Sequence, residues 1–149
     1  MKLTINTNER YTETEININC NCMNEYIEKL LAAIRMLDMK LACRKDGQQH
    51  FIDLSQIIYI ESIDKRTFIY TISDVYESPF RLSELEEKLA KLDFLRASKN
   101  CLFNIRHLYS LKSDLEQRLI LTMEKDIKII VSRQYSGAVK GKLEAYHGK

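Results

Sequence analysis

The sequence predicts an α+β fold that is mainly antiparallel β-sheet, and three observations support this. From residue 41 onward, short β-branched and aromatic runs recur at intervals of roughly 8 to 12 residues, separated by turn signals. Only the stretches 22–39, 82–92 and 133–146 have helical character. The regular alternation of strand and helix that a parallel α/β sheet needs is missing.

The first 40 residues predict a small β-β-α element. Leu3 and Ile5, and later Ile16, Ile18 and Cys20, alternate with polar residues, as in two half-buried strands. The helix at 22–39 follows, and Asn24 can cap it. Its apolar stripe consists of Met23, Tyr26, Ile27, Leu30, Leu31, Ile34 and Leu37. An element of this size buries too little surface to be stable alone. Residues 1–40 therefore pack against the rest of the chain or against a second copy, as a dimerisation or regulatory element.

Residues 41–149 form the second predicted domain, which begins with a series of strands. Asp46 and Gly47 give the Asp-Gly signal of a tight hairpin. Residues 56–62, QIIYIES, are the most strand-like run in the chain. Pro79 ends the series, because proline cannot donate a hydrogen bond to a sheet. The predicted strands are 41–44, 51–55, 56–62, 67–73 and 75–78.

A helix is predicted over residues 82–92 from four leucines at helical spacing, with Ser83 as its N-cap. After it, residues 117–123 and 127–132 predict a hairpin around the turn at 124–126. The chain closes with a helix at 133–146, with Ser132 in the N-cap position.

The segment between these regions, residues 94–108 (FLRASKNCLFNIRHL), is polar in its middle and apolar at both ends. Arg96, Ser98, Lys99 and Asn100 lie within five residues, between the anchors at 94–95 and 101–103. Such a segment can present a cation and an amide together to a partner outside the protein.

The net charge of +2 is unevenly distributed. Residues 1–93 contain 12 basic and 16 acidic residues, a net charge of −4, whereas residues 94–149 contain 11 and 5, a net charge of +6. A basic C-terminal part is typical of a surface that meets an anionic partner, and equally typical of a solvated basic face.

The sequence contains none of the common catalytic or nucleotide-binding motifs, such as a P-loop, GxGxxG, HExxH or GxSxG. Its four cysteines form no CxxC pair and its three histidines are scattered, which argues against a metal site. We therefore expect no enzyme, no cofactor and no small-molecule substrate.

No apolar run approaches the roughly 18 residues of a membrane span, and the N-terminus lacks a signal peptide's apolar core. We expect a cytoplasmic protein.

Three predicted loops carry cations beside hydrogen-bonding side chains: residues 64–67, 96–100 and 132–134. Arginine can bind guanine through two hydrogen bonds, and asparagine or glutamine can do so with adenine. Lysine and serine suit phosphate oxygens, and the start of a helix favours an anion. On one edge of a sheet, the three loops would form a DNA-reading surface without a recognition helix.

Four segments, in order, resemble the LytTR-type DNA-binding domain of bacterial transcription regulators. Residues 53–62 (DLSQIIYIES) are similar to its D-I-x-Y-I-E strand, and 80–89 (FRLSELEEKL) to its S-L-x-E-L-E-x-L helix. Residues 94–108 are similar to its F-x-R-x-H-R-S-Y-x-V-N-x-x-x-I signature. Residues 129–143 (IIVSRQYSGAVKGKL) are similar to its closing V-S-R-x-Y segment and helix. The resemblance covers about two-thirds of the chain.

This resemblance implies an elongated antiparallel β-strand fold whose loops insert into DNA major grooves. The positions that read bases in the family correspond to Thr67, with Arg66 beside it, to Lys99 and Asn100, and to Arg133.

The neighbouring signature positions correspond to Arg96 and Ser98, which the resemblance assigns to DNA-backbone contacts, and to Asn104, which it assigns a structural role. Ser98 stands where the signature usually has histidine, and Lys99 where it usually has arginine. Lysine lacks the two-pronged geometry of arginine. The departures leave the identity of the recognised base open.

The resemblance also implies partners. Relatives read repeated half-sites, so we expect double-stranded promoter DNA bound by a homodimer. Residues 1–40 are too short for a receiver domain, as in compact relatives that are often held by an inhibitory membrane protein. The alternative is a protein-interaction module that keeps the fold without DNA binding and docks a partner on the helix at 22–39. RNA is disfavoured, because no pair of exposed aromatic residues is placed for base stacking.

Overall fold

The computed structural model describes residues 1–146, which contain three α-helices and ten strands. The helices are α1 (Glu25–Asp38), α2 (Leu82–Lys88) and α3 (Arg133–Tyr146). The strands are β1 (Lys40–Lys45), β2 (Gln48–Asp53), β3 (Ile57–Ile63), β4 (Arg66–Thr71), β5 (Val75–Ser78), β6 (Phe94–Ser98), β7 (Cys101–Asn104), β8 (Leu108–Ser113), β9 (Leu119–Met123) and β10 (Ile127–Val131). None of these helices is long and apolar enough to cross a membrane.

The strands form two antiparallel sheets, which confirms the predicted fold class. Seven strands pair in the order β2-β1-β5-β4-β3-β7-β6, and three in the order β10-β9-β8. The N–H of Ser132 donates to the carbonyl of Ala97 (2.9 Å) and so joins the end of β10 to β6. The ring of His107 adds a second connection, because it lies between the Glu124 carboxylate and the carbonyl of Ser55 (2.6 Å from Nε2).

The larger sheet separates two hydrophobic cores. On one face Ile60 packs in a cluster with Leu85 of α2. On the other face Phe103 packs in a cluster with Leu121 of the smaller sheet and Val139 of α3. All five are at most 2% exposed, and burial of each such side chain contributes about 1.5 to 3 kcal/mol. The sheet is therefore anchored on both faces, and its loops extend from a fixed base.

Helix α1 forms as predicted, but only part of its predicted apolar stripe is buried, including Ile27. Asn24 caps the helix, because its side-chain oxygen accepts the N–H of Ile27 (3.0 Å). Tyr26 and Leu37 of the predicted buried stripe are 53% and 67% exposed. Met36, which lies off that stripe, is 1% exposed and belongs to the first core cluster.

The two strands predicted within residues 2–20 do not form in the single chain. Residues 1–23, called here the N-terminal arm, contain no strand. Leu3, Ile5 and Ile16 are 80%, 76% and 58% exposed. Two strands without a covered apolar face are at best marginally stable in water, which explains why the pattern alone does not produce a sheet here.

The predicted helix at 82–92 is shorter than its leucine spacing suggests, and Ser83 is not its N-cap. Helix α2 starts after Arg81 and ends at Lys88. Leu89 has non-helical dihedral angles (φ −104°, ψ 7°), yet both it and Leu92 are buried. The leucine spacing correctly indicated burial, but the last two leucines reach the core from a turn.

Candidate nucleic-acid interface

The first loop is the turn between β3 and β4. Ile63 pairs with Arg66, so Asp64 and Lys65 form a two-residue connection, and both have positive φ (49° and 65°). Positive φ at both positions is the geometry of a type I′ turn, whose twist matches the flanking strands. The turn therefore holds the exposed Lys65 at a fixed place on the surface.

Thr67 does not lie on this surface. It is 3% exposed and alternates along β4 with exposed Arg66, so its side chain lies on the same face of the sheet as Ile69 of the first core cluster. The prediction that Thr67 reads a base therefore requires a correction: the buried hydroxyl is not accessible to DNA in this conformation. The resemblance indicated the position of this residue in the chain, but not the face of β4 on which its side chain lies.

Arg66 is exposed but already engaged within the protein. Its Nε and Nη2 donate to both carboxylate oxygens of Glu77 (2.9 and 2.8 Å), and its guanidinium lies 5.2 Å from the ring centre of Phe68. The hydrogen bond from Arg66 holds the pKa of Glu77 below its usual value. Lys65, which the sequence analysis did not select, is the cation of this turn that has no acidic partner among the described residues.

The second loop is the turn between β6 and β7. Ser98 pairs with Cys101, so Lys99 and Asn100 occupy the tip, and both are exposed. The N–H of Asn100 donates to the hydroxyl of Ser98 (3.2 Å). Ser98 thus shapes the turn from inside, while the ammonium and amide side chains remain available to a partner.

Arg96 supports this turn from one side. Its side chain is only 18% exposed, its Nη2 donates to the carbonyl of Lys99 (3.1 Å), and its Nη1 lies 3.5 Å from the Glu86 carboxylate. The guanidinium therefore connects α2 to the loop through Nη1 and Nη2, while Nε and Nη1 are buried without a hydrogen-bond partner. This geometry favours a positioning role for Arg96, in place of the predicted backbone contact.

The third loop is the junction between β10 and α3, where Arg133 is the first helical residue, as predicted. The N–H groups of Tyr135 and Ser136 already donate to the carbonyl of Ser132 (3.0 Å each). The N–H groups of Arg133 and Gln134 precede these donors and remain available to an anion such as a phosphate. Arg133 itself is exposed.

Backbone hydrogen bonds bring the three loops to one end of the larger sheet. The N–H of Ser62, near the end of β3, donates to the carbonyl of Asn100 (2.8 Å), and the Ser132–Ala97 bond links the third loop to β6. A fourth loop, between β8 and β9, lies at the same end, because Nη2 of Arg133 reaches the carbonyl of Glu116 (3.4 Å). This fourth loop is not predicted from the sequence, because it carries no unpaired cation to indicate it.

Each of the three loops contributes one exposed cation without an acidic partner among residues 1–146: Lys65, Lys99 and Arg133. Three other cations at this end, Arg66, Arg96 and Arg118, are paired with acidic side chains of the protein. Arg118 of the fourth loop, for example, binds Asp114 (3.0 Å) and Glu116 (3.2 Å). Three unpaired positive charges from separate segments on one surface are suited to the phosphates of a nucleic acid.

Two residues of the signature are structural. Asn104 is fully buried, donates from Nδ2 to the carbonyl of Ile57 (2.9 Å), and accepts the N–H of Arg106 (3.1 Å). Burial raises the pKa of the Cys101 thiol to about 12, so the thiol is neutral at physiological pH. No group of three or more histidine, cysteine or acidic side chains in residues 1–146 is arranged to hold a metal ion.

Comparisons with known proteins identify the family and the fold of this chain. The family model described as the LytTr DNA-binding domain matches residues 47–144. Proteins named as uncharacterized HTH-type transcriptional regulators of Staphylococcus aureus are similar to the chain. That of strain MSSA476 is 27% identical over 145 residues, covering 96% of this chain and 98% of the relative. That of bovine strain RF122 is 31% identical over 106 residues, covering 70% and 71%.

Among solved structures, a LytTr DNA-binding domain from Bacillus cereus matches with a TM-score of 0.68 and 21% identity, covering 71% of this chain and 97% of that chain. This likeness supports the fold. In the part of the chain that the structure describes, strands separate all three helices, so no helix-turn-helix unit is present there. The elements exposed at this end of the larger sheet are loops and the first turn of α3.

Proposed function

This chain belongs to the LytTr DNA-binding family and is a DNA-binding transcriptional regulator, and we propose that it reads repeated half-sites in promoter DNA by inserting three loops into major grooves. The family is a DNA-binding regulatory family, not an enzyme family. The observation that carries the proposal is the set of three unpaired cations, Lys65, Lys99 and Arg133, at one end of the sheet.

We assign base reading to Arg133 and Asn100. An arginine at the start of a helix can enter the major groove and bind guanine through two hydrogen bonds, and an exposed asparagine can bind adenine in the same way. Lys99 and Lys65, as point charges, are assigned to phosphates. Arg66 can join them only if its ion pair with Glu77 opens on binding.

We expect Lys99→Ala to weaken specific and non-specific binding alike. A lysine that neutralises one phosphate releases about one counterion, so its loss lowers the salt slope of log K by about 1. The measurement is fluorescence anisotropy over a series of salt concentrations, with the DNA upstream of the protein's own gene and with random-sequence DNA.

Lys91→Ala is the matched control, because exposed Lys91 lies before β6, at the other end of that strand from Ser98. It should leave the salt slope unchanged. If Lys99→Ala loses affinity for the specific DNA only, Lys99 reads a base instead of binding a phosphate. If Lys99→Ala and Lys91→Ala lose the same affinity, the three loops are not the DNA-binding surface.

The remaining expectations are also proposals. We propose a homodimer on DNA, because two copies can occupy two half-sites. We propose that residues 1–40 and 41–149 act as a regulatory element and a DNA-binding domain in the cytoplasm, where promoter DNA lies. An inhibitory membrane protein as a partner of the first element follows from the family resemblance.

A further inference from the structure

Exposed apolar side chains are concentrated in the first 39 residues. Among residues 1–146, nine of the sixteen large apolar residues that are exposed lie there, in about a quarter of the chain. They are Met1, Leu3, Ile5, Tyr11, Ile16, Met23, Tyr26, Leu37 and Met39. Scattered exposed apolar residues are normal, but a concentration in one segment indicates an interaction surface.

Helix α1 contacts its own domain with only part of its apolar surface. Met36 is the α1 residue that belongs to a core cluster, and Lys29 lies 4.8 Å from the ring centre of Tyr146 in α3. Tyr26, Leu30 and Leu37 follow a spacing of four and seven residues, which places them along another side of the helix. Their exposure ranges from partial at Leu30 to 67% at Leu37. This second apolar side is called here the outer face of α1.

The N-terminal arm has the alternation of a strand pair but no ladder. It folds back toward α1, because the hydroxyl of Tyr26 contacts the sulfur of Met1 (3.2 Å), with a turn at Asn8–Tyr11 between its two halves. Extended backbone with a period-two apolar pattern needs a second strand or a packed face to be stable. The same segment of another copy supplies both.

We propose that the N-terminal arm and the outer face of α1 form a self-complementary interface with a second copy of this chain, around a two-fold axis. In such an interface one patch meets the same patch, so apolar residues on one copy are matched by apolar residues on the other. This inference deepens the proposed function. The role of the interface in half-site recognition rests on that proposed function.

The exposed apolar area is sufficient for a stable dimer. A fully exposed large apolar side chain carries on the order of 100 Å², so the nine residues offer roughly 500 to 600 Å² at their observed exposures. A specific interface buries about 800 Å² per partner, of which about 56 to 65% is apolar. The segment thus supplies about the apolar share of one standard interface.

The position of this surface leaves the DNA-facing loops free. Helix α1 contacts the 3-10 turn at Leu54–Gln56, immediately before β3, whereas the turn at Asp64–Lys65 follows the end of β3. The seven residues of β3 span about 23 Å. Two copies joined through α1 can therefore both direct their cationic loops to DNA. The Staphylococcus aureus relative of strain MSSA476 described above matches over 96% of this chain, so its similarity extends into this segment.

The test measures the mass of the full-length protein in solution by light scattering and sedimentation, from micromolar concentration upward. We expect the unmodified chain to be a dimer and Leu37→Glu to be a monomer. Tyr26→Glu is a second variant, and Tyr109→Glu, at a 70% exposed aromatic residue of β8, is the matched control that should remain a dimer. Because both altered side chains of α1 are more than half exposed, thermal unfolding should show a folded protein.

DNA binding by the same proteins separates this proposal from the proposed function. We expect Leu37→Glu to bind a single half-site as the unmodified chain does, and to lose the additional affinity for two half-sites. A dimer that fails to bind DNA would uphold the interface and overturn the proposed function. An unmodified chain that stays monomeric, or dimers that persist in both α1 variants, would overturn the interface. If the chain is a monomer that binds lipid vesicles, and Leu37→Glu loses this binding, the surface binds membranes and the proposed interface between two copies is overturned.

Discussion

Replacement of Arg133 by alanine is expected to weaken specific DNA binding by about 1 to 3 kcal/mol, roughly a five- to 150-fold loss of affinity. Arg133 is exposed at the first position of α3, beside two backbone N–H groups that can bind a phosphate. These N–H groups survive the substitution, so binding to random DNA should fall much less. Anisotropy titrations against both DNAs give the two affinities.

Two further variants separate the possible roles of Arg133. Arg133→Lys keeps the charge but loses the two-pronged hydrogen bond, so it should restore non-specific binding and leave the specific loss largely uncorrected. Arg35→Ala removes another exposed arginine, from α1, and should change neither affinity. If Arg133→Lys binds specific DNA as the unmodified protein does, Arg133 acts only as a charge and base reading must lie elsewhere.

Replacement of Asn104 by alanine is expected to lower the free energy of unfolding by about 2 to 4 kcal/mol. The side chain is fully buried and satisfies both the carbonyl of Ile57 and the N–H of Arg106. Without it, each of these backbone groups loses a partner, at a cost of about 1 to 3 kcal/mol for a buried group. Urea unfolding measures this loss of unfolding free energy when the m-value of the variant equals that of the unmodified protein.

Asn100→Ala is the matched control for this prediction, because it removes the same side chain from an exposed turn four residues earlier. It should change the free energy of unfolding by less than about 0.5 kcal/mol, as most surface substitutions do, while weakening specific DNA binding. Similar stabilities for the two variants would contradict the structural role of Asn104.

The sequence predicted the helices and strands of this fold better than it predicted which surfaces they pack against. The β-branched and aromatic run at residues 56–62 and the Asp46-Gly47 turn correctly predicted a strand and a hairpin, because both signals are local. The spacing of Leu89 and Leu92 indicated burial but not the end of α2. The apolar residues of α1 predicted a helix but not which side would pack on the domain, since that depends on the shape of a distant surface.

The sequence predicted the three cationic loops of the candidate site, but not how these loops are arranged in space. Turn signals and the family signature are readable along the chain and indicated Lys99 and Arg133, which are exposed at the tip of a turn and at the start of α3. The approach of the loops to one end depends on strand order, which pairs β3 with β7 across some forty residues. The burial of Thr67 depends on which face of β4 is covered, and both faces carry apolar residues.

The measurement that tests the central claim most directly is a fluorescence-anisotropy titration of the full-length protein against the promoter DNA upstream of its own gene. It is made at two salt concentrations, with random-sequence DNA as competitor. We expect binding that resists the competitor and weakens steeply with salt, as phosphate neutralisation by several cations requires. An absence of binding at low salt would contradict the regulator assignment and favour a protein-interaction module that retains the fold.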